Sequence, residues 1–246
     1  SARTVTFTLD DGGNLGSGGA QQATRTATVN VSAVNDAPTL SGSASTLSYT
    51  ENGVAAAIDV NITVADPDSP ANFNGGYIQA SFTANGTTAD QLSVLNIGTG
   101  SGQISVSGTT ISYAGVAIGL IDGTYTGVNG AALRINLNSS ANVAATQALA
   151  RAIAYRNTSD APTTLDRTVT FTLDDGANSG SGSGLQATRI AIVNVTAVND
   201  APVFSGGVAT LAYTEGDSAT AIDLNLAIAD PDTPTSFTGG FLQATF

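Results

Sequence analysis

Apolar residues recur along this chain at every second position, in short runs broken by Gly, Asn, Asp and Ser. Val5, Phe7 and Leu9 alternate with Thr4, Thr6 and Thr8, and Leu133, Ile135 and Leu137 with Arg134 and Asn136. Ile58, Val60, Ile62 and Val64 alternate in the same way with Asp59, Asn61 and Thr63. A period of two sends neighbouring side chains to opposite faces of an extended backbone, so each run predicts a strand with one face in a core. Shorter strands are predicted at 77–82, 103–106, Thr110–Tyr113 and 23–31. The Gly/Ser-rich stretches 12–22 and 176–186 lie between strong strands and read as hairpin tips. Residues 142–153 depart from the pattern, with Ala145, Leu149 and Ala152 at helical spacing and Ser139, Ser140 or Asn142 available as a cap. They predict one short helix across an end of the fold, leading into a strand at Ile153–Asn157. The fold class is all-β, a sandwich of half-buried strands.

A second pattern is long-range. Residues 3–12 return as 167–176, 34–38 as 198–202 and 65–68 as 229–232, every pair offset by 164. Laid on 165–246 without a gap, residues 1–82 are identical at about 51 of 82 positions, which makes the chain a tandem repeat. Pro38 and Pro202 mark where units join, since proline forces the residue before it into extended conformation. One complete unit then runs over 38–201. Residues 1–37 are the closing strands of a preceding unit, and 202–246 the opening strands of the next. Either the chain is a window onto a longer repetitive polymer, or its two ends complement each other between molecules by strand addition.

Composition narrows the chemistry. There is no His, Cys, Met, Trp or Lys, and all seven basic residues are Arg. Imidazole bases, thiol nucleophiles and Schiff-base amines are therefore absent, and neither disulfides nor lysine isopeptides are available as crosslinks. These absences argue against an enzyme. The 19 acidic residues give a net charge of −12, and all but Glu51 and Glu215 are Asp. Such a surface repels nucleic acid and anionic membranes. No apolar stretch approaches the roughly 20 residues that span a bilayer.

The acids fall in a definite order. Glu51 follows the junction, Asp66-Pro67-Asp68 ends the alternating run 58–64, and Asn35-Asp36 occupies the junction itself. This order resembles that of cadherin repeats, and Val34-Asn35-Asp36-Ala37-Pro38 is similar to the linker of large bacterial cadherin-like surface proteins and secreted adhesins. The stretch 154–160, followed by 167–176, also resembles those giant repeats, whereas residues 83–150 do not follow a plain cadherin pattern. The resemblance implies tandem cadherin/immunoglobulin-like sandwich modules, an extracellular location on a bacterial surface, and Ca2+ at the junctions. Clustered Asp and Asn supply the oxygens that calcium takes. The second junction would use Glu51, Asn199, Asp200, Asp230 and Asp232. The first would use Asn35, Asp36, Asp66 and Asp68. Ala33 and Ala37 stand where the cadherin linker has Asp and Asn, and no Asp-Arg-Glu motif is present. Asp10, Asp11, Asp174 and Asp175 either substitute as ligands or are turn residues of their hairpins.

The implied function is a non-catalytic structural repeat of a stalk or filament, with neighbouring repeats as partners and identical chains as further ones, through end-to-end complementation or lateral packing. The alternative is a calcium-dependent glycan-binding module, with Phe73, Tyr77 and Tyr125 as stacking candidates.

Overall fold

The computed structural model describes residues 1–13, 16–68, 71–177, 181–232 and 234–246. The chain is mostly strand. β1 (Ala2–Asp10) and β2 (Gln22–Asn30) form a hairpin by themselves. There follow β3 (Thr39–Ser41), β4 (Thr46–Thr50), β5 (Ala56–Ala57), β6 (Thr63–Ala65), β7 (Tyr77–Ala84), β8 (Asp90–Val94), β9 (Ile104–Ser107), β10 (Thr110–Tyr113), β11 (Val116–Thr126) and β12 (Leu133–Leu137). The helix α1 (Val143–Ala152) leads directly into β13 (Ile153–Asn157), then β14 (Arg167–Asp174) and β15 (Gln186–Thr196). Short strands β16 (Val203–Ser205) and β17 (Ala227–Ala229) pair with each other in the last segment.

Eight strands join in the order β4-β15-β14-β7-β12-β11-β10-β9, and three in the order β5-β13-β8. One hydrophobic core takes residues from both sheets and from the helix, among them Leu92, Ile135, Leu149, Tyr155 and Phe171. The predicted alternation of β14 holds: Val169, Phe171 and Leu173 are buried, and the threonines between them are half-buried. The strands predicted at 77–82 and 103–106 are β7 and β9 with shifted ends, and β10, β12 and β13 stand where expected. Both hairpins form as predicted, although 14–15 and 178–180 of their tips lie outside the described residues.

Helix α1 starts at Asn142, whose side chain accepts from the Ala145 backbone N–H at 2.9 Å. Of the three candidate caps, it is the one that satisfies an orphan donor of the first turn. The helix buries Ala145, Leu149, Ala150 and Ala152 and packs on β6, β9 and β10. Gln147 reaches from its outer turn to accept the Val64 N–H at 3.1 Å.

The run 58–64 is not one strand, contrary to the alternation. Ile58, Ile62 and Val64 are buried, but Val60 is exposed and Asp59 points inward. The Asp59 carboxylate accepts from Asn61 N–H at 2.9 Å, closing a local turn, and holds Arg189 Nε at 2.6 Å. A side chain that bonds its own backbone two residues on competes with the ladder and ends it. Only β6 remains, and in the second copy only β17. Gly42 fits against this turn at φ +122, where an added Cβ would stand 2.1 Å from the Asn61 carbonyl oxygen. Its copy Gly206 faces Asn225 in the same way.

Candidate metal sites at the repeat junctions

β4 lies parallel to the end of β15, with Thr50 opposite Thr196. Glu51 and the linker at 197–200 therefore leave the sheet side by side. Glu51 N–H donates to the Thr196 carbonyl at 2.9 Å, which prolongs the ladder by one residue, and Asn52 then turns the chain at φ +58. Asparagine takes this left-handed conformation more readily than most residues. The Glu51 side chain is directed onto the linker: Oε2 accepts from Val198 N–H at 2.8 Å, and the residue is only 5% exposed.

Three carboxylates meet at this point. Oxygens of Glu51, Asp160 and Asp200 lie within 4.8 Å of one another. Glu51 Oε1 and Asp200 Oδ2 are both buried, with no hydrogen-bond partner among the described residues. Leaving such oxygens unpaired costs free energy, and doing so twice in a cluster of like charge compounds the cost. A hard divalent cation answers that demand, because it takes carboxylate oxygens as ligands and neutralises their charge. The residues present therefore fit a hard divalent cation. Asp200 N–H also donates to Asp232 Oδ2 at 2.8 Å, and Asp232 N–H to Asp230 Oδ1 at 3.0 Å. Of the expected second-junction residues, Glu51 and Asp200 share the carboxylate cluster, whereas Asp232 meets the Asp200 backbone and Asp230 only the Asp232 backbone. Asn199 stands apart, exposed, with its amide on the Asp200 carbonyl at 3.1 Å.

Asp160 was not among the expected ligands. It follows β13 through two local turns, in which Ser159 N–H donates to Asn157 Oδ1 and Ala161 N–H to Ser159 Oγ. Its counterpart falls outside both partial copies, so comparing the copies could not single it out.

The first junction repeats the Asp-to-backbone contacts of the second. Asp36 N–H donates to Asp68 Oδ2 at 2.9 Å, and Asp68 N–H to Asp66 Oδ1 at 2.9 Å. Asn35 is buried, and its Nδ2 donates to Asp175 Oδ2 at 2.9 Å. The linker is held further by Asn35 N–H on the Ser181 carbonyl and Ser181 N–H on the Ala33 carbonyl. Partial burial, and then the charges of Asp68, Asp175 and Asp36, push the Asp66 carboxyl above its ordinary value of 3.8. Without a cation the folded chain keeps the Asp66 proton to higher pH than the unfolded chain does, so stability declines as pH rises through that window. A cation competes with the proton for the same oxygens. Calcium affinity at this junction is therefore expected to fall as pH drops from 7 toward the carboxylate range, which titrations at a series of pH values would measure.

The Asp-Asp-Gly pairs divide. Asp10 and Asp11 accept from Gly12 and Gly13 N–H, and Asp174 from Gly176 N–H, which closes their hairpin turns. Asp175 does the same for Ala177 and Leu185, and through its second oxygen it also joins the first junction.

Among the glycan candidates, Phe73 is wholly buried in the core. Tyr77 and Tyr125 instead flank Arg134 on the sheet surface, with the guanidinium carbon 4.0 and 4.4 Å from their ring centroids.

No protein-family model matches the chain, and no curated protein does either. No helix among the described residues is long and apolar enough to cross a membrane.

Proposed function

We propose that this chain is a non-catalytic structural repeat of an extracellular bacterial surface protein, a stalk or filament built from cadherin-like β-sandwich modules and stiffened by calcium at their junctions. The observation that carries this reading is the buried, unpartnered Glu51 Oε1, set among Asp160 and Asp200 where the linker leaves the unit. Glu51 and Asp160 belong to one unit, and Asp200, Asp230 and Asp232 lie in the linker and the unit after it. An ion held between them ties the two units together, and without it the carboxylates repel and the linker is free to bend. The same backbone-to-Asp bond at both junctions supports a site that is repeated rather than incidental. Absent imidazole, thiol and amine chemistry supports a non-catalytic role. The test is thermal unfolding with calcium and with a chelator. Calcium is expected to raise the melting temperature by several degrees, through binding to the folded state alone; identical melting curves would sink the calcium reading.

A second reading, calcium-dependent glycan binding, draws on the half-buried Tyr77 and Arg134 and the exposed Tyr125 beside them, since aromatic faces stack on sugar rings. The guanidinium already occupies one face of each ring, which leaves less surface for a sugar. The structural role is the stronger reading.

A further inference from the structure

A cleft of about 460 Å³ lies beside α1, lined wholly by residues of the complete unit and sharing none with either junction cluster. The helix contributes Ala148 and Arg151 to it, the segment before β6 contributes Val60, and the segments around β9 and β10 contribute Leu95, Ile97 and Tyr113. Val60 and Ile97 are 59% and 55% exposed, which leaves an apolar rim in contact with water. The turn that draws Asp59 inward is what keeps Val60 out of the core. The complete unit holds five arginines. Arg167 and Arg189 are paired with Asp90 and Asp59, Arg134 lies between two tyrosine rings, and Arg156 stands in solvent. Arg151 is half-buried at the cleft, with no carboxylate partner in a chain of net charge −12. Its Nε donates to the Ile62 carbonyl at 2.7 Å, and its two Nη groups have no partner among the described residues.

We propose that this cleft binds a small aliphatic carboxylate, with its chain on the apolar walls and its carboxylate on the Nη groups of Arg151. Small-molecule sites are typically clefts of about 300–1,000 Å³ with mostly apolar linings and a few polar groups that fix orientation. The bond to Ile62 holds the guanidinium in place, so its Nη edge is preorganised to receive two carboxylate oxygens side by side. Partial burial strips water from that edge, which strengthens a charge-assisted bond formed there. Val60, Leu95 and Ile97 offer no hydrogen bond to an inorganic anion, whereas an alkyl chain gains by leaving water against them. The net charge of −12 repels any anion at long range. That repulsion is screened beyond about 10 Å at 0.1 M salt, and the contact with Arg151 is shorter than that.

Calorimetric titration with octanoate, in buffer free of divalent cations, is expected to show one saturable site per chain, because residues 83–164 occur only once in it. Acetate has the charge without the chain, and 1-octanol the chain without the charge; each should bind more weakly by about tenfold or more. Arg151→Gln sets an N–H where Nε stood, which keeps a donor for the Ile62 carbonyl and removes the charge and both Nη groups. Octanoate affinity should fall by about tenfold or more in this variant, while 1-octanol binding and the melting temperature stay unchanged. Val60→Asp alters an exposed position and sets a like charge beside the carboxylate, so it should weaken octanoate too, and it serves where Arg151→Gln disturbs folding. No saturable heat, 1-octanol bound as tightly as octanoate, or octanoate binding that survives both substitutions would each overturn the proposal. Dimers in sedimentation that Arg151→Gln abolishes would overturn it as well, since a second copy would then fill the cleft. The calcium reading stands or falls separately, because the cleft and the carboxylate cluster have no residue in common.

Discussion

Replacing Asp90 with alanine is expected to lower the melting temperature by roughly 6–20 °C, from the about 3–5 kcal/mol that breaking a buried ion pair costs and the 2–4 °C per kcal/mol typical of chains this long. Asp90 and Arg167 are wholly buried and paired at 3.3 Å. The carboxylate also accepts from Tyr155 Oη, Asn157 Nδ2, Thr87 N and Thr87 Oγ1. Burial works against its charge, but these bonds, and after them the Arg167 charge, hold the Asp90 carboxyl below the usual range. Its contribution is therefore present above the unfolded value and is lost as pH falls through the lowered folded value. Alanine would leave the Arg167 guanidinium buried without a counter-ion. The double variant Asp90→Leu, Arg167→Met should recover only part of the loss, because an apolar pair leaves no charge stranded but still leaves the buried Tyr155 and Asn157 donors without their acceptor. Differential scanning calorimetry of the three proteins checks both expectations.

The same node reaches the junction. Asn157 donates to Asp90 with its amide and accepts from Ser159 N–H with its carbonyl, one residue before Asp160. Arg167 Nη1 donates to the Thr163 and Leu165 carbonyls at 2.5 and 2.6 Å, which fixes the far end of the same segment. The placement of Asp160 thus rests on core packing at both ends of its segment together with the local turns at Asn157 and Ser159.

Glu51→Gln is the second large effect. It keeps the shape and the Val198 bond but removes one full charge from the cluster of three. Calcium affinity at the second junction is expected to fall by about tenfold or more, since ligand charge sets calcium affinity in such sites. The calcium-free protein should melt at the same temperature or higher, because a buried unpaired oxygen has lost its charge. Opposite movements with and without calcium separate a ligand from a structural residue. Melting curves of both proteins in calcium and in chelator record them.

Much of this was legible in the sequence because the features are local or repeated. Val169, Phe171 and Leu173 declare their face by alternation alone, and α1 declares itself by Ala145, Leu149 and Ala152 and their cap. The offset of 164 residues made the Asn35-Asp36 and Asn199-Asp200 linkers visible as linkers. What stayed hidden depends on contacts between distant segments. β11 carries Gly119 and Gly123 and a register shift between Ile121 and Thr126, so no clean alternation marks it. Asp59 sits at a polar position of an apparent strand, yet turns inward because Arg189, far along the chain, meets it there. Asp160 lies in a stretch of small polar residues and joins Glu51 and Asp200 only once β13 and the parallel β4–β15 pair have been laid down. Nothing local distinguishes it from Asp166.

The central claim is that an ion ties consecutive units at the Glu51, Asp160 and Asp200 cluster. Calorimetric titration of the 1–246 protein with calcium tests it most directly, alongside the triple variant Glu51→Gln, Asp160→Asn, Asp200→Asn. Saturable binding by the parent protein, with the second-junction component missing from the variant, is the result expected. No binding by the parent protein, or an isotherm that the three substitutions leave unchanged, would contradict it.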